Sequence, residues 1–145
     1  MMASMASKGA QLMTTFSLSF RVMGTDLDPD LVSQILGMEP SQSHKKGDPN
    51  IGKSGRRYSD FSEGLWALSL QSKEANNLEE RLSTIVELLR DREKELKSLR
   101  ELGYRMDIFV GVFGESTGNL GFSIDSNLLS ALGKLGLTLD FDIYD

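Results

Sequence analysis

Two periodicities limit how this chain can fold. Phe16, Leu18, Phe20 and Val22 alternate with Thr15, Ser17, Ser19 and Arg21, the pattern of a strand with one apolar and one polar face. Near the other end, Leu137, Leu139, Phe141 and Ile143 alternate with Thr138, Asp140, Asp142 and Tyr144. The helical patterns between them carry one apolar stripe each: Leu31, Val32, Ile35 and Leu36; Leu78, Leu82, Ile85, Val86 and Leu89; Leu128, Leu129, Leu132 and Leu135. A helix with a single stripe buries it against a single surface, and these strands offer a single apolar side. The expected fold is therefore an α+β two-layer sandwich, a mostly antiparallel five-stranded sheet of ferredoxin-like type with helices on one face. The uncovered face would carry Thr15, Ser17, Ser19, Arg21, Asp107, Phe109, Asp140, Asp142 and Tyr144.

Local signals place the elements. Asp28 and Pro29 supply an N-cap and a proline at the first helical position, and Gly37 ends that helix. Leu65 to Gln71 reads as a second strand with Trp66, Leu68 and Leu70 inward. Asn77 caps the next helix, with Glu80 in the capping-box position. Arg92 interrupts its stripe, so a kink or a second helix is expected from about Asp91 to Leu102, with Gly103 as its end. Tyr104 to Phe113 is apolar on both faces and reads as a central strand. Leu120, Phe122 and Ile124 suggest a fourth strand after a Gly118-Asn119 turn, and Asp125 or Ser126 caps the last helix. Met38 to Glu63 has no sustained periodicity and reads as a long connection with an irregular strand inside it. A connection of that length in a compact domain usually carries function or motion.

Residues 1–13 read as a disordered leader or an expression remnant, and residues 14–145 as one domain. The chain has no cysteine, which removes disulfides, thiolate metal sites and thiol catalysis and fits a reducing, cytoplasmic location. A single histidine excludes sites built from several imidazoles. Oxygen ligands for magnesium or calcium remain open, but no calcium-loop spacing is present, and the reading includes no metal and no cofactor. No apolar run approaches the roughly 20 residues that cross a bilayer. A net charge of -5 argues against general nucleic-acid affinity, which comes mainly from cations displacing phosphate counterions.

Against that acidic background, Lys45, Lys46, Lys53, Arg56 and Arg57 with Asp48 make a local basic segment. Gly47, Gly52 and Gly55 would let backbone amides approach an anion, although Gly52-Lys53-Ser54 lacks the glycine spacing of a phosphate-binding loop. His44 is a candidate base or phosphate ligand, or else a solvated loop residue; no nucleophile elbow accompanies it. Trp66 is a core anchor by its parity with Leu68 and Leu70, or a wall beneath the basic loop. Asp140 and Asp142 point the same way on the final strand, as solvated charges that protect an edge or as a carboxylate pair. The candidate binding residues are thus His44, Lys45, Lys46, Gly47, Asp48, Arg56, Arg57, Trp66, Phe109 and Tyr144, with no catalytic set among them.

The order Gly24-x-Asp26-Leu27-x-Pro29, Leu36-Gly37, Lys46-Gly47-Asp48, Gly64-Leu65-Trp66, Gly103-Tyr104, Leu135 to Asp140, then Asp142-Ile143-Tyr144 resembles a bacterial family known as domain of unknown function 4279. The resemblance runs from about Phe16 to Tyr144 and brings no activity with it. The expected role is that of a binding module, one that regulates or neutralises a protein partner through the basic loop or the open sheet face. The alternative is a domain for a small anion or nucleotide, sensory or catalytic, held by His44 to Arg57 above Trp66. A homodimer through the sheet face, or a monomer whose same face receives another protein, follows from the first reading.

Overall fold

The computed structural model describes residues 15–70, 77–114 and 121–144. Strand β1 is Thr15–Gly24, helix α1 Pro29–Leu36 and strand β2 Gln42–His44. Two short strands follow, β3 at Asn50–Ile51 and β4 at Arg57–Tyr58, and then the longer β5 at Gly64–Leu70. Helices α2 (Leu78–Arg90) and α3 (Glu93–Glu101) lead to β6 (Arg105–Phe113), and α4 (Ser126–Lys134) leads to β7 (Thr138–Tyr144). The expected caps form: Asp28 accepts from the Asp30 amide, Asn77 from those of Glu79 and Glu80, and Asp125 from that of Leu128. Proline opens α1 and left-handed Gly37 closes it.

The main sheet has the order β2-β5-β1-β6-β7. β1 is antiparallel to both β5 and β6, β2 is antiparallel to β5, and β6 and β7 run parallel. The chain from β1 to β6 is a βαββαβ unit, with β3 and β4 inserted before β5 and the second crossover made by α2 and α3 together. α4 and β7 then add one parallel strand. The sheet is therefore mixed, although three of its four pairings are antiparallel. Parallel pairing at β7 follows from the helix before it, because a strand-helix-strand connection returns the chain in the same direction.

Leu18, Phe20, Val22, Trp66, Ile108, Val110 and Val112 face the stripes of all four helices, including Val32, Leu82, Ile85, Leu96, Leu99 and Leu132, in one core. Three arginines fasten the helical layer by donating to backbone carbonyl oxygens. Arg81 reaches Phe16 and Leu70, Arg92 reaches Leu36 at the end of α1, and Arg100 reaches Leu135 after α4. Arg92, read in the sequence only as an interruption, thus separates α2 from α3 and ties α1 to them.

One expected strand is corrected. Among the described residues, 121–125 form no strand, and Phe122 instead lies edge-on to Phe16 and stacked on Phe141. Aromatic side chains at alternate positions serve an extended cover as well as a strand, so alternation alone could not separate the two. The fifth strand is β2, from inside the long connection. The leader, the Gly118-Asn119 turn, Leu120 and Gln71 lie outside the described residues.

Candidate functional site

Register assigns side chains to faces. Ala67, Arg21, Asp107 and Thr138 form one cross-strand row, and Ser69, Ser19, Phe109 and Asp140 form the next. On the other side of the first row stand His44, Leu65, Met23 and Arg105. All project away from the helices, because successive strand residues alternate between faces.

At the centre of this open face lies an ion pair. Asp107 is only 3% exposed, and a carboxylate so placed needs a strong partner. Arg21 provides it as a two-pronged donor, Nε to Oδ1 at 2.9 Å and Nη2 to Oδ2 at 2.5 Å. The guanidinium carbon sits 4.4 Å from the centre of the Phe109 ring, so Arg21 is held by charge on one side and by an aromatic face on the other. Its hydrogen bond to Asp107 raises its pKa further, against the effect of burial. Asp140 approaches the same carboxylate from β7, and its pKa is raised, first by a hydrogen bond with Asp107, then by burial and by the charge of Asp107. Asp142 turns instead to the Tyr144 hydroxyl, which donates to it at 2.6 Å. The two aspartates of β7 therefore take different partners.

The ends of the face differ. At one, Phe113 and Tyr144 stack at 4.7 Å and nearly parallel, both more than two-fifths exposed. At the other, Arg105 donates through Nη2 to both carboxylate oxygens of Glu63, at 2.9 and 3.0 Å. His44 stacks on Phe61 with ring centres 3.5 Å apart. Among the described residues its Nδ1 is buried without a hydrogen-bond partner, and desolvation lowers its pKa despite Asp48 and Glu63 nearby.

The basic segment forms an arm. Its ladder continues outward from β2 and β5 through paired bonds between Phe61 and Gly47 or Asp48, then through Asn50 with Tyr58 and Ile51 with Arg57. The pairing offset shifts by one residue between Gln42 with Ala67 and Asn50 with Tyr58, which marks a bulge. Gly52 to Gly55 is the turn at the tip, with Gly55 at positive φ, so Gly52-Lys53-Ser54 is hairpin-tip sequence. Lys46-Gly47-Asp48 forms another turn, in which Asp48 accepts from the Lys45 amide at 2.8 Å. Lys45, Lys46, Arg56 and Arg57 are exposed; Arg56 lies over Tyr58 and Arg57 bridges to Asp60.

Trp66 is separated from all of these. It is fully buried, edge-on to Phe20, and its indole N–H donates to Ser33 Oγ at 2.9 Å. Ser43 pairs with Trp66 and His44 with Leu65, so the tryptophan and the histidine lie on opposite faces of the sheet. Among the described residues no group of three or more His, Asp or Glu is placed to hold a metal ion, and no helix is long and apolar enough to cross a membrane.

A family model described as Domain of unknown function (DUF4279) matches residues 14–145. The chain belongs to that family. No curated protein and no solved structure matches it. Several residues that carry the family resemblance meet at one end of the sheet. Gly24 pairs with Gly64; a Cβ on Gly24 would come within 2.8 Å of the Tyr104 ring, and one on Gly64 within 2.7 Å of the Leu27 carbonyl oxygen. Motifs far apart in sequence thus form a packing joint, and the charged centre on the open face lies mostly outside them.

The sequence reading placed Arg21 and Asp107 on the open face without pairing them. The available signal was Arg21 inside β1 and Asp107 inside β6, where only Arg105 at the start of β6 adds further charge, since charge in a central strand calls for a neighbour of opposite sign.

Proposed function

We propose that this domain is a cytoplasmic protein-binding module, built on a ferredoxin-like βαββαβ core, that receives its partner on the helix-free face of the sheet. The observation that carries this reading is the fixed Arg21–Phe109–Asp107 cluster, flanked by the exposed Phe113–Tyr144 stack. Arginine and aromatic rings are enriched where proteins meet, and groups already held in place lose little freedom on binding. The arm's cations stand at the rim, where charge chiefly raises association rates. The anion-site alternative called for Trp66 as a wall beneath the loop, and that side chain is sealed in the core.

The test is capture from the source cells with a photo-crosslinking residue at Phe113 or Ser69, both on this face. One protein should crosslink at both positions. Phe109→Lys, which sets a second cation beside Arg21, should lower its recovery more than tenfold; changing Lys45, Lys46, Arg56 and Arg57 to Ser should slow association and leave the crosslinks in place. Full recovery with Phe109→Lys, together with loss on changing the arm, would move the site to the arm and reject this reading.

A further inference from the structure

The last strand suggests what kind of partner segment this face takes. β7 is the terminal strand of the sheet order, so its outer edge has no strand partner among the described residues. All its residues except half-buried Leu139 are exposed, including Phe141 at 38% and Ile143 at 55%. Such an edge is a template for another chain, and proteins usually block it with charge. Here the charge is selective. Asp140 and Asp142 lie on the open face, while Leu139, Phe141 and Ile143 lie on the helix side.

A second copy is a poor fit. Antiparallel pairing of two β7 strands centred on Phe141 would set Asp140 of each opposite Asp142 of the other, four carboxylates in one short ladder, and like charges directly opposite destabilise a strand pair. A strand with Lys or Arg at those positions and apolar side chains between them turns the same carboxylates into cross-strand attraction and covers Phe141 and Ile143. We propose that β7 binds an extended partner segment of alternating basic and apolar residues, which joins the sheet as a sixth strand next to Asp140 and Asp142. This rests on the protein-binding reading and names the chemistry of the segment that docks.

The probes are three short synthetic peptides: alternating lysine and valine, alternating glutamate and valine, and a block sequence with the composition of the first. Two exposed ion pairs at about 0.7 kcal/mol each correspond to roughly tenfold in affinity. The alternating lysine peptide should therefore bind about tenfold more tightly than the other two, by fluorescence anisotropy, and slow amide exchange across Thr138–Tyr144. D140K/D142K should prefer the glutamate peptide, a reversal that general damage cannot produce; the milder D140N/D142N should bind the lysine and glutamate peptides alike. No binding of the lysine peptide, equal binding of the block sequence, unchanged β7 exchange, or a preference that survives both variants would each overturn the proposal. The sheet-face reading would still stand in those cases, because crosslinks at Ser69 and the Phe109→Lys variant test it separately.

Discussion

Two consecutive steps of one ladder bury their side chains by different means. Phe20 pairs with Ile108 on the helix side, and one residue on, Arg21 pairs with Asp107 on the open side. Phe20, Ile108 and Asp107 are all nearly inaccessible to solvent. The first pair is covered by a whole layer of helices, in one core with Trp66, Leu82 and Leu96. Asp107 is covered largely within the sheet, by the Arg21 fork that lies across Phe109. Apolar burial needs a second layer, whereas a charged side chain in a sheet can be enclosed by its own cross-strand neighbours once its charge is matched.

The comparison breaks first at Trp66, where the largest effect is expected. Trp66→Ala removes a fully buried ring that packs on Phe20 and leaves Ser33 Oγ without its donor. A loss of about 3–5 kcal/mol is expected, a large part of a small domain's total stability. Urea denaturation followed by circular dichroism checks it. A variant that melts like the wild type would mean that the helical layer contributes far less than its burial implies.

On the open side the expected effect is smaller. Arg21→Ala leaves the buried Asp107 carboxylate without its partner, but Arg21 is itself part-exposed, so water can enter where the guanidinium stood. The expected loss is about 1–3 kcal/mol. Asp107→Ala added to Arg21→Ala should restore part of it, because the buried charge leaves with its partner, and a double-mutant cycle measures the coupling. If the double variant is weaker than Arg21→Ala by the full effect of Asp107→Ala, the two residues act independently and the open face has no charged centre.

The same contrast explains what could be read in the sequence. Elements with one apolar side were legible, because burial by a second layer imposes a period on the chain: β1, β5, β6, β7 and all four helices lie close to where the periodicities put them. The caps were legible because Asp28, Asn77 and Asp125 sit at helix starts for a local reason. For β2 and the arm only an irregular strand somewhere within Met38 to Glu63 was legible. Gln42 and Ser43 in β2, and Ile51, Arg57 and Tyr58 in β3 and β4, are exposed, so no inward position recurs to mark strands there. Long-range arginines were hidden for a related reason: Arg81, Arg92 and Arg100 look like surface residues of amphipathic helices until the tertiary fold brings carbonyl oxygens to them. Of the candidate site, Phe109 and Tyr144 were placed on their correct face by parity. The histidine's neighbours could not be inferred, because the Phe61 stack depends on the bulged ladder of the arm.

The smallest expected effect sharpens the contrast most, because it titrates the open side alone. Asp140 meets the Asp107 carboxylate, and its pKa in the folded protein lies above its ordinary value of 3.8, chiefly through their hydrogen bond. A raised carboxyl pKa means that the folded protein binds the proton more tightly than the unfolded chain does. That contribution to stability is complete below pH 3.8 and is lost as pH rises through the folded value. Asp140→Asn removes the ionisation and keeps a donor for Asp107. The variant should therefore match the wild type below pH 3.8, gain on it as pH rises through that window, and keep a small, constant advantage in Tm at neutral pH. Added salt should shrink that advantage, since Asp140 is exposed and its repulsion is open to screening. Thermal melts of both proteins from pH 3 to pH 7 at low and high salt make the measurement. An advantage of equal size at every pH would assign the effect to shape and not to charge, and a deficit at neutral pH would mean that Asp140 is held by Arg21 more than it is opposed by Asp107.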